Sequence, residues 1–146
     1  MPLELKGKWT QIGLEQLEAV AKEIWKLLPV NSFVAFSAEM GSGKTTLIRT
    51  LLQVADIKHF EGSPTFAIVQ PYSSPTKGAI FHLDCYRIET EGELLNLGLD
   101  ELFDSDAYFF VEWPEKIATI LPTPHFRLYI RTESEHLREI TLHHDH

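Results

Sequence analysis

The length and charge of the chain limit what the protein can be. Its 146 residues suffice for one hydrophobic core, and we expect residues 1–146 to form a single domain. With 13 Lys and Arg against 21 Asp and Glu, the net charge is −8, and no basic cluster is present to neutralise the phosphates of a nucleic acid. Any role involving nucleic acid is therefore expected to be indirect, through a partner that holds it.

The sequence predicts a cytoplasmic protein without a membrane segment. No apolar stretch approaches the roughly 18 to 20 residues that a membrane span requires, and residues 1–6 show neither an apolar region nor a cleavage signature. Cys85 is the single cysteine, so it has no partner for an internal disulfide or a CxxC zinc site. Its expected role is packing.

The first third of the chain predicts a helix, a buried strand and a second helix. Apolar residues recur at helical spacing over residues 13–28, and Pro29 ends that pattern. Residues 32–37 are almost wholly apolar, as in a strand that is buried on both faces of a sheet. Residues 44–54 carry apolar side chains on one side, which predicts a second helix that packs against the sheet.

The middle of the chain predicts a hairpin followed by two short helices. Residues 65–72 alternate, residues 73–78 are typical of a turn, and residues 79–83 are apolar, so an antiparallel hairpin is expected. Residues 89–103 are most simply two short helices that bend at Gly98.

The last third predicts a buried strand at 108–111, a short helix at 114–120 that begins with proline, and a final hairpin of residues 126–131 and 138–142. The histidine-rich residues 143–146 are expected to be a frayed, solvated end without a function, at most an adventitious metal site.

Residues 38–46, here called the P-loop, lie between the first predicted strand and the second helix. Their sequence, Ala-Glu-Met-Gly-Ser-Gly-Lys-Thr-Thr, matches the phosphate-binding pattern Gly-x4-Gly-Lys-Ser/Thr except that Ala38 replaces the first glycine. Such a loop directs backbone N–H groups and a helix N-terminus at an anion, and its lysine reaches the outer phosphates. We expect a nucleoside triphosphate to contact the following residues: Glu39, Met40, Gly41, Ser42, Gly43, Lys44, Thr45 and Thr46.

With this loop, the predicted fold is α/β: a P-loop NTPase three-layer sandwich with a mainly parallel central sheet and antiparallel edge strands.

Two apolar strands end in an acid, and we call Asp84 and Glu112 the strand-end acids. Ligands of such sheets bind outside the carboxyl ends of the strands, so both acids are expected near the phosphates. Mg²⁺ on a P-loop uses the hydroxyl after the lysine, here Thr45, together with a strand-end carboxylate. One acid is expected to hold the metal and the other to orient water, and Glu112 suits the second role. The alternative is that either acid caps a helix or faces solvent.

Three further residues are candidates with equally ordinary alternatives. Thr65, in Ser-Pro-Thr-Phe, is placed to sense the outer phosphate, although Ser-Pro-Thr is also a common turn. Arg87 can stabilise transferred charge or form a surface salt bridge. Trp113 can stack on a base or a partner, or simply pack.

Five short motifs follow one another along the chain, and their order resembles the TsaE family. They are Glu-Met-Gly-Ser-Gly-Lys-Thr-Thr at 39–46, Ser-Pro-Thr-Phe at 63–66, His-Leu-Asp-Cys-Tyr-Arg at 82–87, Leu-Gly-Leu-Asp-Glu at 97–101 and Val-Glu-Trp-Pro-Glu-Lys at 111–116. Members of that family are small bacterial P-loop ATPases that work with the TsaD and TsaB proteins to make threonylcarbamoyladenosine in tRNA. The resemblance covers nearly the whole chain, and Ala38 departs from the family's usual glycine.

The resemblance implies that ATP and Mg²⁺ are the cofactors and that tRNA is reached only through the complex. It implies weak ATPase activity for the chain alone. It also implies roles in phosphate binding, magnesium binding and catalysis for the same residues that the motifs indicate. The candidate catalytic residues are Lys44, Asp84 and Glu112, the candidate magnesium ligands are Thr45, Asp84 and Glu112, and Thr65 and Trp113 complete the nucleotide site.

Other classes of P-loop protein stay open at this point. A small-molecule kinase normally carries an arginine-bearing lid, and the arginines of this chain form no such cluster. A GTPase needs an Asn-Lys-x-Asp string, and neither Asn31 nor Asn96 is followed by lysine. A nucleotide-binding adaptor without turnover is the hardest alternative to exclude, because acids can be retained without being used.

Overall fold

The computed structural model describes residues 3–39, 41–62, 64 and 68–146. Its strands and helices alternate along most of the chain. In order, they are β1 (Leu3–Ile12), a 3-10 turn (Leu14–Gln16), α1 (Leu17–Leu27), β2 (Phe33–Ala38), α2 (Lys44–Val54), β3 (Val69–Ser74), β4 (Gly78–Asp84), α3 (Glu91–Leu97), α4 (Leu99–Leu102), β5 (Tyr108–Glu112), a second 3-10 turn (Pro114–Ile117), β6 (His125–Thr132) and β7 (Arg138–Asp145).

The strands form one seven-stranded sheet in the order β1-β7-β6-β2-β5-β4-β3. The four central strands, β6, β2, β5 and β4, run parallel to one another. The outer strands β1, β7 and β3 pair antiparallel with their neighbours. The predicted mixed sheet, with parallel strands at its centre and antiparallel strands at its edges, is confirmed.

Helices cover both faces of the sheet because the central strands are apolar on both faces. In β2 and β5, alternate residues point to opposite sides: Val34 and Phe110 pack under α1 and α2, whereas Phe33 and Phe109 pack under α3, α4 and the second 3-10 turn. These two clusters of buried side chains give the predicted three-layer sandwich. They also fix the carboxyl ends of β2, β4 and β5, where the functional residues lie.

Two local predictions, the bend at Gly98 and the proline at the start of a short helix, are confirmed at the helix ends. Gly98 has φ 66 and separates α3 from α4, as the predicted bend requires. Thr90 caps α3, because its hydroxyl accepts a hydrogen bond of 3.3 Å from the Glu93 amide. Pro114 begins the second 3-10 turn. No described helix is long and apolar enough to cross a membrane.

The predictions were wrong at the two ends of the chain. Residues 3–12 form β1, which was not predicted, and the last strand extends to Asp145 where we expected a frayed end after residue 142. Most of β1 is exposed, so its sequence lacks a continuous buried apolar face. The strand is held by backbone pairing with β7 and by Trp9 and Ile12, which pack against the core. The predicted strand at 65–72 begins at Val69 and continues to Ser74, and residues 65–67 lie outside the described part of the chain.

Candidate functional site

The P-loop leaves β2 and turns sharply into α2. Gly41 and Gly43 have φ 73 and 95, in the left-handed region that favours glycine. A Cβ at either position would meet nothing within 4 Å, so the backbone conformation rather than crowding requires glycine. The amide of Leu47 donates to the Gly43 carbonyl at 3.0 Å, which starts the helix directly behind the loop. Both glycines of the pattern therefore serve the turn from β2 into α2.

Alanine at the first position of the P-loop is compatible with the backbone conformation there. Ala38 is the last residue of β2 and pairs with Ile130 of β6. It is not among the residues with positive φ, so the position does not require glycine. Met40, a predicted nucleotide contact, lies outside the described residues.

The strand-end acids lie side by side. Asp84 ends β4 and Glu112 ends β5, and the two residues are partners in the parallel register. Both are buried, with exposed fractions of 7% and 3%. The amide of Tyr86 donates to Asp84 Oδ1 at 3.1 Å, which orients that carboxylate. Their burial argues against the alternative that either acid faces bulk solvent.

The Glu112 carboxylate is held between two nitrogen groups. Its Oε1 lies 3.5 Å from the Lys44 ammonium, and its Oε2 lies 2.6 Å from Nε2 of His82. His82 is fully buried in β4, and its ring stacks on Phe60 with centroids 6.1 Å apart. Glu112 is thus fixed next to the lysine that the P-loop pattern assigns to the outer phosphates.

Trp113 adopts a strained backbone conformation beside these groups. Its φ of 60 is uncommon for a bulky residue, and such conformations cluster at functional sites. The Lys44 ammonium lies 5.0 Å from the centre of its ring, and the Tyr86 ring lies 5.0 Å away on another side. Trp113 therefore packs over the P-loop lysine rather than facing solvent.

The two threonines of the P-loop lie in the first turn of α2, where free amides favour anions. Thr45 is exposed and Thr46 is half-buried. The Ser42 hydroxyl, by contrast, is buried without a hydrogen-bond partner among the described residues. Thr65 lies outside the described part of the chain, so its predicted role stays a prediction.

The P-loop is braced by the β6–β7 hairpin. The Glu39 carboxylate accepts a hydrogen bond of 2.8 Å from the Thr132 amide at the end of β6. Arg138, the first residue of β7, donates from Nε to the Ser42 carbonyl at 2.8 Å. The side chain of Glu39, which was predicted to contact nucleotide, is thus hydrogen-bonded to the hairpin.

A cavity of about 660 Å³ opens next to the P-loop. Its walls come from the loop, from the junction of β1 with α1 and from the β6–β7 hairpin, with apolar contributions from Leu17, Leu47, Ile130 and Ile140. Its size is within the usual range of small-molecule sites.

The sequence reasoning missed two residues of this site. His82 had a detectable signal, because it is a polar residue inside an otherwise apolar strand that ends in an acid. Arg138 had none, since its role depends on the hairpin folding back beside the loop. Cys85, predicted to pack, is buried as expected, and burial raises the pKa of its thiol to about 12, with the strand-end acids adding to the shift.

The donors at the site suit Mg²⁺ rather than a soft metal. The Thr45 hydroxyl and the carboxylate of Asp84 are hard oxygen ligands of the kind that Mg²⁺ prefers. Cys85 does not compete, because its side chain is buried in the apolar cluster that packs under α3 and α4. Glu112 is already engaged by Lys44 and His82, which makes it the less suitable metal ligand of the two acids.

The sheet order, the glycine-rich loop and the strand-end acids together define the P-loop class of α/β proteins. Comparisons with known proteins narrow this class. The family model described as "Threonylcarbamoyl adenosine biosynthesis protein TsaE" matches residues 13–140. The chain belongs to the TsaE family.

Similar proteins share most of the length of this chain. The tRNA threonylcarbamoyladenosine biosynthesis protein TsaE of Bacillus subtilis is 31% identical over 92% of this chain and 83% of the relative. The protein of the same name from Borreliella burgdorferi is 35% identical over 84% of each. The crystal structure of YdiB from Bacillus subtilis covers 100% of this chain and 89% of its own, with a TM-score of 0.79 and 24% identity, which supports the fold.

Proposed function

We propose that this protein binds and hydrolyses ATP in support of the threonylcarbamoyladenosine modification of tRNA. The proposal of hydrolysis rests on one observation: the Glu112 carboxylate is buried and lies 3.5 Å from the Lys44 ammonium. Because the P-loop lysine contacts the outer phosphates, the position of Glu112 is next to the γ-phosphate of a bound nucleotide. A carboxylate there orients and deprotonates the attacking water.

The neighbouring residues divide the remaining work. Lys44 and the amides of the P-loop hold the phosphates, and His82 fixes the orientation of Glu112 through the contact of 2.6 Å. Thr45 and Asp84 would hold Mg²⁺, which would neutralise charge on the outer phosphates. Trp113 covers Lys44 and limits the access of water to the reacting end of the site.

The nucleoside occupies the cavity beside the P-loop. That cavity borders Gly41, Gly43 and Thr46, and its apolar walls suit an adenine ring. The triphosphate then extends from the cavity along the loop toward the strand-end acids. This path accounts for a cavity that opens directly onto the phosphate-binding backbone.

The net charge of −8 argues that the tRNA is held by other proteins. We expect TsaD and TsaB to be those partners, in the cytoplasm, with weak ATPase activity of the chain alone and faster turnover in the complex. The names of the similar proteins support the assignment to this modification pathway. ATP hydrolysis then resets the complex between rounds of transfer.

Reconstituted modification of tRNA tests this function. TsaD, TsaB, tRNA and the threonylcarbamoyl donor are combined with the wild-type chain, with Lys44→Ala, or with no addition, and modified tRNA is counted per complex. The wild-type chain should support many rounds, whereas the other two mixtures should stop after about one. Sustained modification without the chain, or equal modification with Lys44→Ala, would refute the proposal.

A further inference from the structure

Glu4 of β1, His144 of β7 and His146 just after β7 converge at one edge of the sheet, and we call them the edge cluster. Glu4 lies directly opposite His144 in the antiparallel register, so both side chains are on the same face. His146 follows two residues later and returns to that face. We expected residues 143–146 to be frayed, but His143 and His144 lie within β7.

The edge cluster is separate from the P-loop. His144 pairs with Phe126 of β6, and Phe126 pairs with Val34 near the start of β2. The P-loop begins at Ala38, the last residue of the same strand. The two sites therefore lie at opposite ends of the sheet, and the edge cluster takes no part in phosphate binding.

The ligand atoms of the three residues face one another. Oε2 of Glu4 is 2.9 Å from Nε2 of His146, and Nε2 of His146 is 3.2 Å from Nδ1 of His144. All three ligand atoms lie within 4.8 Å of one another. The packing of His144 against Phe126, with ring centroids 4.5 Å apart, restricts the imidazole to this position.

Hydrogen bonding alone satisfies this arrangement poorly. Nε2 of His146 carries at most one hydrogen, yet it is in contact with an oxygen of Glu4 and a nitrogen of His144. If Nε2 of His146 is protonated and donates to Glu4, it offers no lone pair to His144. If Nε2 is unprotonated, its lone pair faces the negatively charged carboxylate of Glu4. A cation among the three atoms would accept all three lone pairs together.

The spacing also agrees with a metal site. Zinc bonds to histidine nitrogen and carboxylate oxygen are about 2.0 to 2.2 Å long, so ligand atoms of a tetrahedral site are about 3.3 to 3.6 Å apart. To reach these separations, the contact of 2.9 Å between Glu4 and His146 lengthens by about 0.4 to 0.7 Å, and that of 3.2 Å between His146 and His144 by about 0.1 to 0.4 Å. The second oxygen of Glu4, Oε1, pairs with Lys6, which orients the carboxylate and leaves Oε2 directed at the histidines.

We propose that the edge cluster is a Zn²⁺ site that ties β1 to β7. Two imidazoles and one carboxylate form a ligand set that zinc commonly uses, and the fourth position is left to water. Because β1 is exposed along most of its length, a metal bond would add to the backbone pairing and to the Lys8–Glu139 ion pair that already join β1 to β7.

Calorimetric titration of the full, tag-free chain with ZnCl2 tests the proposal. We expect one zinc ion per chain, with Kd raised at least tenfold in His144→Ala, His146→Ala and Glu4→Gln. The exposed His59→Ala is the matched control and should bind zinc like the wild type. At free zinc 100 times its Kd, the folding equilibrium constant should rise about a hundredfold in the wild type and the control only.

Co²⁺ in place of Zn²⁺ provides a second measurement that reports geometry. The wild type should show the intense visible absorption of tetrahedral Co²⁺, and His144→Ala should lose it. Zinc binding that is unchanged by the variants of the edge cluster would overturn the proposal. Loss of zinc binding in Asp84→Ala alone would place the ion at the P-loop and would overturn it equally. So would the absence of binding at millimolar zinc. Circular dichroism of each variant confirms folding, and Glu4→Gln, isosteric and exposed, keeps the test decisive if a histidine variant unfolds.

Discussion

Two parts of the sheet contribute differently to the site. We call β4, β5 and β2 the parallel centre. We call β6, β7 and β1 the antiparallel flank, because β7 pairs antiparallel with both of its neighbours, although β6 also pairs parallel with β2. The parallel centre carries the reacting groups at its carboxyl ends, where Asp84 and Glu112 are buried side by side. The antiparallel flank carries no strand-end acid of that kind but braces the P-loop, through Thr132 on Glu39 and Arg138 on Ser42. Chemistry and loop positioning are therefore supplied by separate parts of one sheet.

The largest expected difference between the two regions is in stability. Phe110 of β5 is fully buried between Trp25 and Phe36, with ring centroids 5.6 and 5.5 Å away. Phe110→Ala should lower the free energy of unfolding by about 3 to 5 kcal/mol. Leu5→Ala in β1, where the side chain is 54% exposed, should change it by less than about 0.5 kcal/mol. Urea denaturation of both variants measures the contrast, and equal losses would contradict it.

Nucleotide affinity should depend most on the lysine next to the parallel centre. Lys44→Ala removes the ammonium that contacts the outer phosphates and leaves Glu112 without that partner. We expect the Kd for Mg·ATP, measured by calorimetry, to rise about a hundredfold or more. Lys22→Ala, an exposed lysine on α1, is the control. A Kd within threefold of the wild type for Lys44→Ala would show that the loop binds phosphate without its lysine.

His82 should affect catalysis without affecting binding. His82→Ala frees the Glu112 carboxylate from its contact of 2.6 Å, so the ATPase kcat should fall about tenfold or more while the Kd for ATP stays within about twofold. His82→Gln, which can still donate a hydrogen bond, should recover part of the rate. An unchanged kcat in His82→Ala, or a lower affinity alone, would refute the positioning role.

Arg138 should show the opposite pattern, because it belongs to the flank. Arg138→Ala leaves the Ser42 carbonyl of the P-loop without its donor, and the looser loop should raise the Kd for ATP about tenfold with a smaller change in kcat. Arg127→Ala, an arginine of β6 whose partner is Asp145, serves as the control. If Arg138→Ala lowers kcat and leaves Kd unchanged, bracing is not its function.

The sequence predicted the parallel centre and the β6–β7 hairpin far better than β1, and the reason is physical. Strands buried on both faces must be apolar throughout, and a P-loop requires Gly41, Gly43 and Lys44 at fixed spacing, so these features are visible in the sequence. β1 is held largely by backbone pairing, and the few side chains that hold it, such as Trp9 and Ile12, form no regular pattern in the sequence. The same applies to contacts between distant segments, such as Arg138 on the P-loop or Glu4 beside His146.

The site was predictable in its residue types but only partly in its contacts. Asp84 and Glu112 were expected to be close because parallel strands end together, and they are register partners. The contacts of Glu112 with Lys44 and His82 depend on side-chain directions that the spacing of residues in the sequence does not specify. Glu39 was expected at the nucleotide, but its carboxylate bonds to Thr132 because the hairpin end lies within reach.

Single-turnover and steady-state hydrolysis by Glu112→Gln tests the central claim most directly. Glutamine keeps the shape of the side chain but cannot accept a proton from water. The wild type and the variant are each saturated with Mg·ATP in the presence of TsaD, TsaB and tRNA. We predict that phosphate release by the variant falls about a hundredfold or more, while its Kd for ATP changes less than about threefold. Equal rates of phosphate release in Glu112→Gln and the wild type would contradict the account.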